Sequence, residues 1–122
     1  MTKRTKRLNS LLKEVISEVI RNDVRNPHVS EFTTVTEVDI TKDLQHAKVY
    51  ISVIGTEQER KNTIDALESA AGFISVNASK KVVMRLFPTL TFRLDTSVDK
   101  QMKIDSLLKK IHQEEESREK HE

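Results

Sequence analysis

The sequence predicts an α+β domain in which helices cover one face of a small, mixed three-stranded sheet, in the order α-β-β-α-α-β with a C-terminal helix. Three observations predict it. An N-terminal apolar stripe recurs at helical spacing. Two β-branched runs then alternate with period two across a short gap, and a third alternating run follows a stretch where the helical period returns.

In the first helix Leu8, Leu11, Leu12, Val15, Ile16, Val19 and Ile20 form a single stripe, with polar residues on the other face and stop signals at Asn22-Asp23 and Asn26-Pro27. In the first strand Phe32, Thr34, Thr36, Val38 and Ile40 share one face, and Thr33, Val35, Glu37 and Asp39 the other. Thr41 to Gln45 read as the connecting turn, with Asp39 and Asp43 shaping it. The second strand carries Ala47, Val49, Ile51 and Val53 on one face and ends at Gly55.

From Thr56 the spacing is helical again. Thr56 with Glu59 three residues later is a capping-box pattern, and Ile64, Leu67, Ala71 and Ile74 make the stripe. The period stumbles at Ala70-Ala71-Gly72, where a glycine inside a helix costs about 1 kcal/mol relative to alanine. This reads as two helices meeting at a kink, the second running from about Ser75 to Phe87 with Val76, Val83, Leu86 and Phe87 inward. Pro88 ends it, and Thr89 to Thr96 form the third strand with Leu90, Phe92 and Leu94 inward. Ser97 to Gln113 read as a last helix with Ile104, Leu107, Leu108 and Ile111 as its stripe. Residues 1–112 are therefore expected to form one domain, and the polar residues 113–122 a disordered tail.

Composition narrows the function classes. The chain has 122 residues, 36% hydrophobic and 33% charged, with two Gly and no Cys. One modest core is possible, and zinc sites built on sulfur, thiolate nucleophiles and disulfides are excluded. A reducing cytoplasm fits. No apolar run approaches the ~18 residues of a membrane span, and no signal-peptide core is present at the N-terminus. None of the four His has a metal-ligand spacing, and neither a phosphate-binding glycine loop nor a serine-nucleophile elbow occurs. An enzyme, a cofactor and a metal are not expected.

Charge is polarised along the chain. Residues 1–30 carry seven Lys/Arg against three acids, residues 31–74 four against eight, and residues 75–93 four with no acid. Lys80, Lys81 and Arg85, on one predicted helix, with Arg93 on the strand that follows, would form a positive strip suited to phosphate. Helix donors near Ser75 and Asn77 would add to it. With four Phe, one Tyr and no Trp, base stacking is sparse, so backbone and shape recognition is expected over sequence reading.

The run from Arg85 through Pro88, Leu90, Phe92 and Asp95 to Ser97 resembles the signature of the ribosome-binding factor A family. Asp39 to Leu44 followed by Ala47 to Ser52 is similar to that family's hairpin, and Arg7 with Arg25-Asn26-Pro27-His28 is similar to its opening. The resemblance covers roughly residues 4 to 112. It implies a type II KH-like fold in which the usual Gly-x-x-Gly loop is replaced by a helix–kink–helix, here Ala70, Ala71 and Gly72. It also implies a non-enzymatic bacterial factor that associates with the free small (30S) ribosomal subunit and acts late in 16S rRNA maturation. That role includes 5'-end processing and cold adaptation. The implied RNA-binding residues are Lys80 and Arg85, extended by Lys81 and Arg93, with Lys3, Arg4, Lys6 and Arg7 adding contacts from the N-terminus. Ser75 and Val83 stand where relatives often carry basic residues. A monomer is expected, with a GTP-hydrolysing assembly factor as the implied agent of release. The alternatives are a KH-like binder of another RNA, and a protein-interaction module docking through the C-terminal helix.

Overall fold

Among the described residues six elements run in the order α1 (Lys3–Asn22), β1 (Thr33–Ile40), β2 (His46–Val53), α2 (Glu57–Ser69), α3 (Ala71–Ser79) and β3 (Thr89–Leu94). The structure is a computed structural model and describes residues 3–97. The predicted C-terminal helix and the 113–122 tail lie outside the described residues.

The sheet order is β1-β2-β3, with β1 antiparallel to β2 and β2 parallel to β3. A parallel pair needs a crossover connection, and α2 with α3 supplies it. α1 lies over β1, while α2 and α3 lie over β2 and β3, so the three described helices occupy one face, as predicted for them. Leu12, Val15, Ile16, Val19 and Ile20 of α1 meet Val38, Ile40, Val49, Ile51, Leu90 and Phe92 of the sheet in one core, completed by Leu67, Ile74 and Ala78. Helix side chains also occupy backbone groups of the two edge strands, which blunts those edges against strand addition. Asn9 of α1 accepts the Ile40 N–H at 2.9 Å, and Glu68 of α2 accepts the Phe92 N–H.

Two local expectations are corrected. In β1 the buried residues are Val35, Val38 and Ile40, while Phe32 and Thr34 are exposed. Val35 pairs with Ile51 and Glu37 with Tyr50, so Thr36 is an extra residue forming a β-bulge that shifts the alternation by one. Strict period two assigns the first half of this strand to the wrong face for that reason.

The second correction concerns the helix predicted over Ser75–Phe87. The kink is real, with α2 ending at Ser69 and Ala70 as the junction at φ −92° and ψ 5°, but α3 starts at Ala71 and stops at Ser79. Ser75 and Asn77 therefore lie inside α3 and offer no helix N-terminus. The last turn satisfies itself locally. The Asn77 side-chain amide donates to the Phe73 carbonyl at 2.8 Å, and the Ser79 hydroxyl donates to the Val76 carbonyl at 2.7 Å. Two β-branched valines follow, which favour extended backbone. Residues 80–88 then cross back to the sheet with Val82, Met84 and Phe87 packed on the core and Pro88 buried. Val83, Arg85 and Leu86 project outward. The capping box at Thr56 and Glu59 is formed as predicted.

Candidate nucleic-acid interface

Three elements from distant parts of the chain enclose a cleft of about 850 Å³: the first turns of α1, the β1–β2 turn and the 80–88 segment. α1 contributes Arg4, Arg7, Leu8 and Leu11, at spacings that put them on one helical face. That stripe is the N-terminal continuation of the core stripe, but it extends beyond the sheet. Leu12 is fully buried, whereas Leu11 is 42% exposed. From the opposite wall come Val83, Arg85 and Leu86, and the end of the sheet adds Gln45, His46 and Thr89.

The β1–β2 turn is densely hydrogen-bonded. The Thr41 N–H donates to the His46 carbonyl at 2.8 Å, and the Leu44 N–H to the Thr41 carbonyl at 2.9 Å. The Asp43 carboxylate accepts from the Thr41 hydroxyl at 2.6 Å and from the Gln45 N–H at 3.1 Å. These donors, the Thr41 hydroxyl foremost, hold the Asp43 carboxyl below its ordinary value, so the acid on the cleft rim is committed to the turn. Leu44 adopts φ 61°, a left-handed conformation that usually falls to Gly or Asn. Its side chain packs against the core from there, so burial of an apolar group offsets the backbone cost. Asp43 shapes the turn as predicted, whereas Asp39 lies in β1 opposite Lys48.

The sequence-predicted basic residues do not form one strip. Arg4, Arg7 and Arg85 meet at the cleft, although they come from opposite ends of the described chain. The other predicted basic residues lie elsewhere. Lys3 and Lys6 are exposed on α1 but do not line the cleft, and Lys80 is exposed just past the end of α3. Lys81 is engaged within the fold: its ammonium donates to Glu18 of α1 at 3.0 Å, which raises its pKa. Arg93 alternates with the buried Leu90 and Phe92 and pairs with Tyr50, so it lies on the open face of the sheet, away from the helices. Lys80, Lys81 and Arg85 do not share a helix, because α3 ends before all three.

The kink residues also differ from expectation in one respect. The bend falls at Ala70, and a side chain at Gly72 would meet no atom within 4 Å, so nothing in the described fold requires glycine there.

Sequence reasoning missed the apolar part of the cleft. Val83 and Leu86, expected in the core, are 106% and 78% exposed, and Val76 is exposed on α3 as well. Helical spacing fits the whole segment, so the pattern carries no sign of the early end of α3. Among the described residues no three His, Asp or Glu side chains gather to hold a metal, and no helix is long and apolar enough to cross a membrane.

The sequence profile of the ribosome-binding factor A family matches residues 4–108. A ribosome-binding factor A from Protochlamydia amoebophila is 69% identical over 115 residues, covering 94% of this chain and 88% of that one. The crystal structure of ribosome-binding factor A from Thermus thermophilus superposes with a TM-score of 0.66 at 26% identity, covering 74% of this chain and 94% of that one. A homology model of the Thermus thermophilus factor, fitted into a cryo-EM map of its 30S complex, gives a TM-score of 0.60 at 24% identity, covering 72% of this chain and 91% of that one. The α+β architecture, with its KH-like arrangement, is consistent with these structures. With the profile spanning the helices, the sheet and the cleft, the chain belongs to the ribosome-binding factor A family.

Proposed function

We propose that this chain is a non-enzymatic assembly factor that binds the free small ribosomal subunit through its 16S rRNA, with the cleft as the principal contact. The observation that carries this reading is the gathering of Arg4, Arg7 and Arg85 around one cleft. Arginine suits phosphate because its planar fork offers several donors and keeps its charge. The Thermus thermophilus relative has been fitted into a 30S complex, which supports the choice of partner.

The factor acts by differential affinity. It binds an immature rRNA conformation more tightly than the mature one and shifts the population accordingly. Late maturation of 16S rRNA, including 5'-end processing, is the step this serves, and cold growth depends on it because RNA traps deepen as temperature falls. Release follows maturation or a GTP-hydrolysing factor that prefers the competing state. The protein works as a cytoplasmic monomer.

Co-sedimentation with small subunits, large subunits and bare rRNA at two salt concentrations tests the reading. Binding is expected to be salt-sensitive, confined to small subunits and stronger for immature particles. Replacing Arg4, Arg7 and Arg85 together by Ala should reduce the salt slope by about 1 per lost phosphate contact. Circular dichroism should stay native, and Arg93→Ala, on the other face, should leave the slope unchanged. Equal binding to all three particles would leave a general RNA binder, and no binding would point to a protein partner.

A further inference from the structure

We propose that residues 104–122 of this chain dock in the cleft as an internal competitor of RNA, with their apolar side chains on its apolar wall and their glutamates on its arginines. The docking involves no RNA, and only the competition rests on the reading that the cleft binds rRNA. The observation is a match between two mixed surfaces. Leu11, Val83 and Leu86 are exposed in the cleft beside Arg4, Arg7 and Arg85. In the segment, Ile104, Leu107, Leu108 and Ile111 precede Glu114, Glu115 and Glu116.

The cleft carries an uncompensated positive charge. Among the described residues its arginines have no carboxylate partner, and the carboxylate on its rim, Asp43, is committed to its turn. Residues 113–122 hold five acids against two bases, so this end of the chain is the charge complement of that rim. Exposed apolar side chains alone would not choose between sites, since Phe32 and Ile54 are also exposed, at the other end of the sheet. Glu31 adjoins Phe32 there, and its charge repels the same segment.

The lengths allow it. β3 starts at Thr89 on the cleft and runs six residues, about 20 Å, to Leu94. Beyond it the Asp95 carboxylate accepts the Ser97 N–H at 2.9 Å, and Ser97 already takes helical backbone. A helix over 97–113, as the sequence predicts, is about 25 Å long. Laid back along the sheet, it brings Ile111 to the cleft mouth and Glu114, Glu115 and Glu116 to the arginines. RNA can then use only the fraction of molecules whose cleft is open, and its apparent affinity falls by that fraction. Stray RNA, held by the cleft alone, is excluded. A subunit that adds contacts elsewhere still binds and displaces the segment.

The chain has no Cys, so Ser117→Cys gives the full-length protein a single site for a nitroxide spin label. The label should broaden the amide NMR signals of Leu11, Val83, Arg85 and Leu86 and spare those of Phe32, Phe73 and Val76. Broadening should fade at 1 M salt, where the screening length falls to about 3 Å. In the unlabelled chain, replacing Glu114, Glu115 and Glu116 together by Gln should raise affinity for an RNA oligonucleotide several-fold. A control with the same net charge, Glu31→Gln with Glu37→Gln and Asp65→Asn, removes exposed acids that do not line the cleft and should change it far less. Broadening that is absent, spread evenly, or centred on Phe73 and Val76 overturns the docking. An equal rise in both triple variants overturns the competition, because net charge alone then explains it. Cleft-confined broadening in a chain that binds neither RNA nor the subunit upholds the docking and overturns the functional reading instead.

Discussion

Two irregular segments, residues 26–32 and residues 80–88, connect regular elements in this fold and are held in opposite ways. The first is tied by polar contacts. Thr63 is completely buried, its oxygen accepts the Ser30 N–H at 3.2 Å, and its proton lies between the carbonyls of Glu59 at 2.8 Å and His28 at 3.2 Å. The His28 N–H donates to the Asn26 side chain and the Phe32 N–H to the Ser30 hydroxyl. The second is pinned by apolar side chains on its inner side. Polar tethering occupies the hydrogen-bonding groups of a segment. Apolar pinning uses only the inward side chains, and leaves Val83, Arg85 and Leu86 for a partner.

The largest effect that sharpens this contrast comes from neighbouring residues. Phe87→Ala should cost about 2–3 kcal/mol, below the value for a fully buried Phe because the ring is only partly covered. Leu86→Ala should fall within about 0.5 kcal/mol, as for an exposed residue. Urea unfolding of the two variants measures both. Similar losses would mean that Leu86 packs as well, and the outward face would lose its meaning.

Next in size is Thr63→Val, which keeps the shape and removes the hydroxyl. It strands the Ser30 N–H, so a loss of roughly 1–3 kcal/mol is expected. Salt-dependent binding to the small subunit should be unchanged, because Thr63 does not line the cleft. A change in the salt slope would show that the two segments are coupled.

Much of this was legible in the sequence, and the exceptions have physical causes. Helix α1, the hairpin turn, the capping box and the third strand followed from periodicity and punctuation. The bulge at Thr36 was not legible, since alternation cannot show where one extra residue enters. The end of α3 was hidden because Val83, Leu86 and Phe87 continue a helical stripe from Val76 as readily as they fit an extended segment. The cleft is assembled by tertiary structure, so charge counting found Arg85 together with Lys80, Lys81 and Arg93, which the fold sends elsewhere, while Arg4 and Arg7 came from the family resemblance.

A smaller polar anchor at the same end of the sheet as residues 26–32 carries a pH signature. The Asp95 carboxylate accepts from the Thr36 hydroxyl at the bulge and from the Ser97 N–H at 2.9 Å. The Thr36 bond is the main cause that holds its pKa below the ordinary 3.8, followed by Ser97. A depressed carboxylate stabilises the fold above its unfolded pKa, and that contribution is lost as pH falls through the folded value. Asp95→Asn should therefore lower stability at pH 7 by about 0.5 kcal/mol, a value kept small by solvent screening, with the difference shrinking below about pH 4. Asp43, depressed by its own turn, contributes equally to both proteins and cancels from the comparison. Urea unfolding at neutral and acid pH reads the difference. A gap that stays constant with pH would assign the effect to the shape of the contact, and the charge at Asp95 would then play no part in joining β1 to the end of β3.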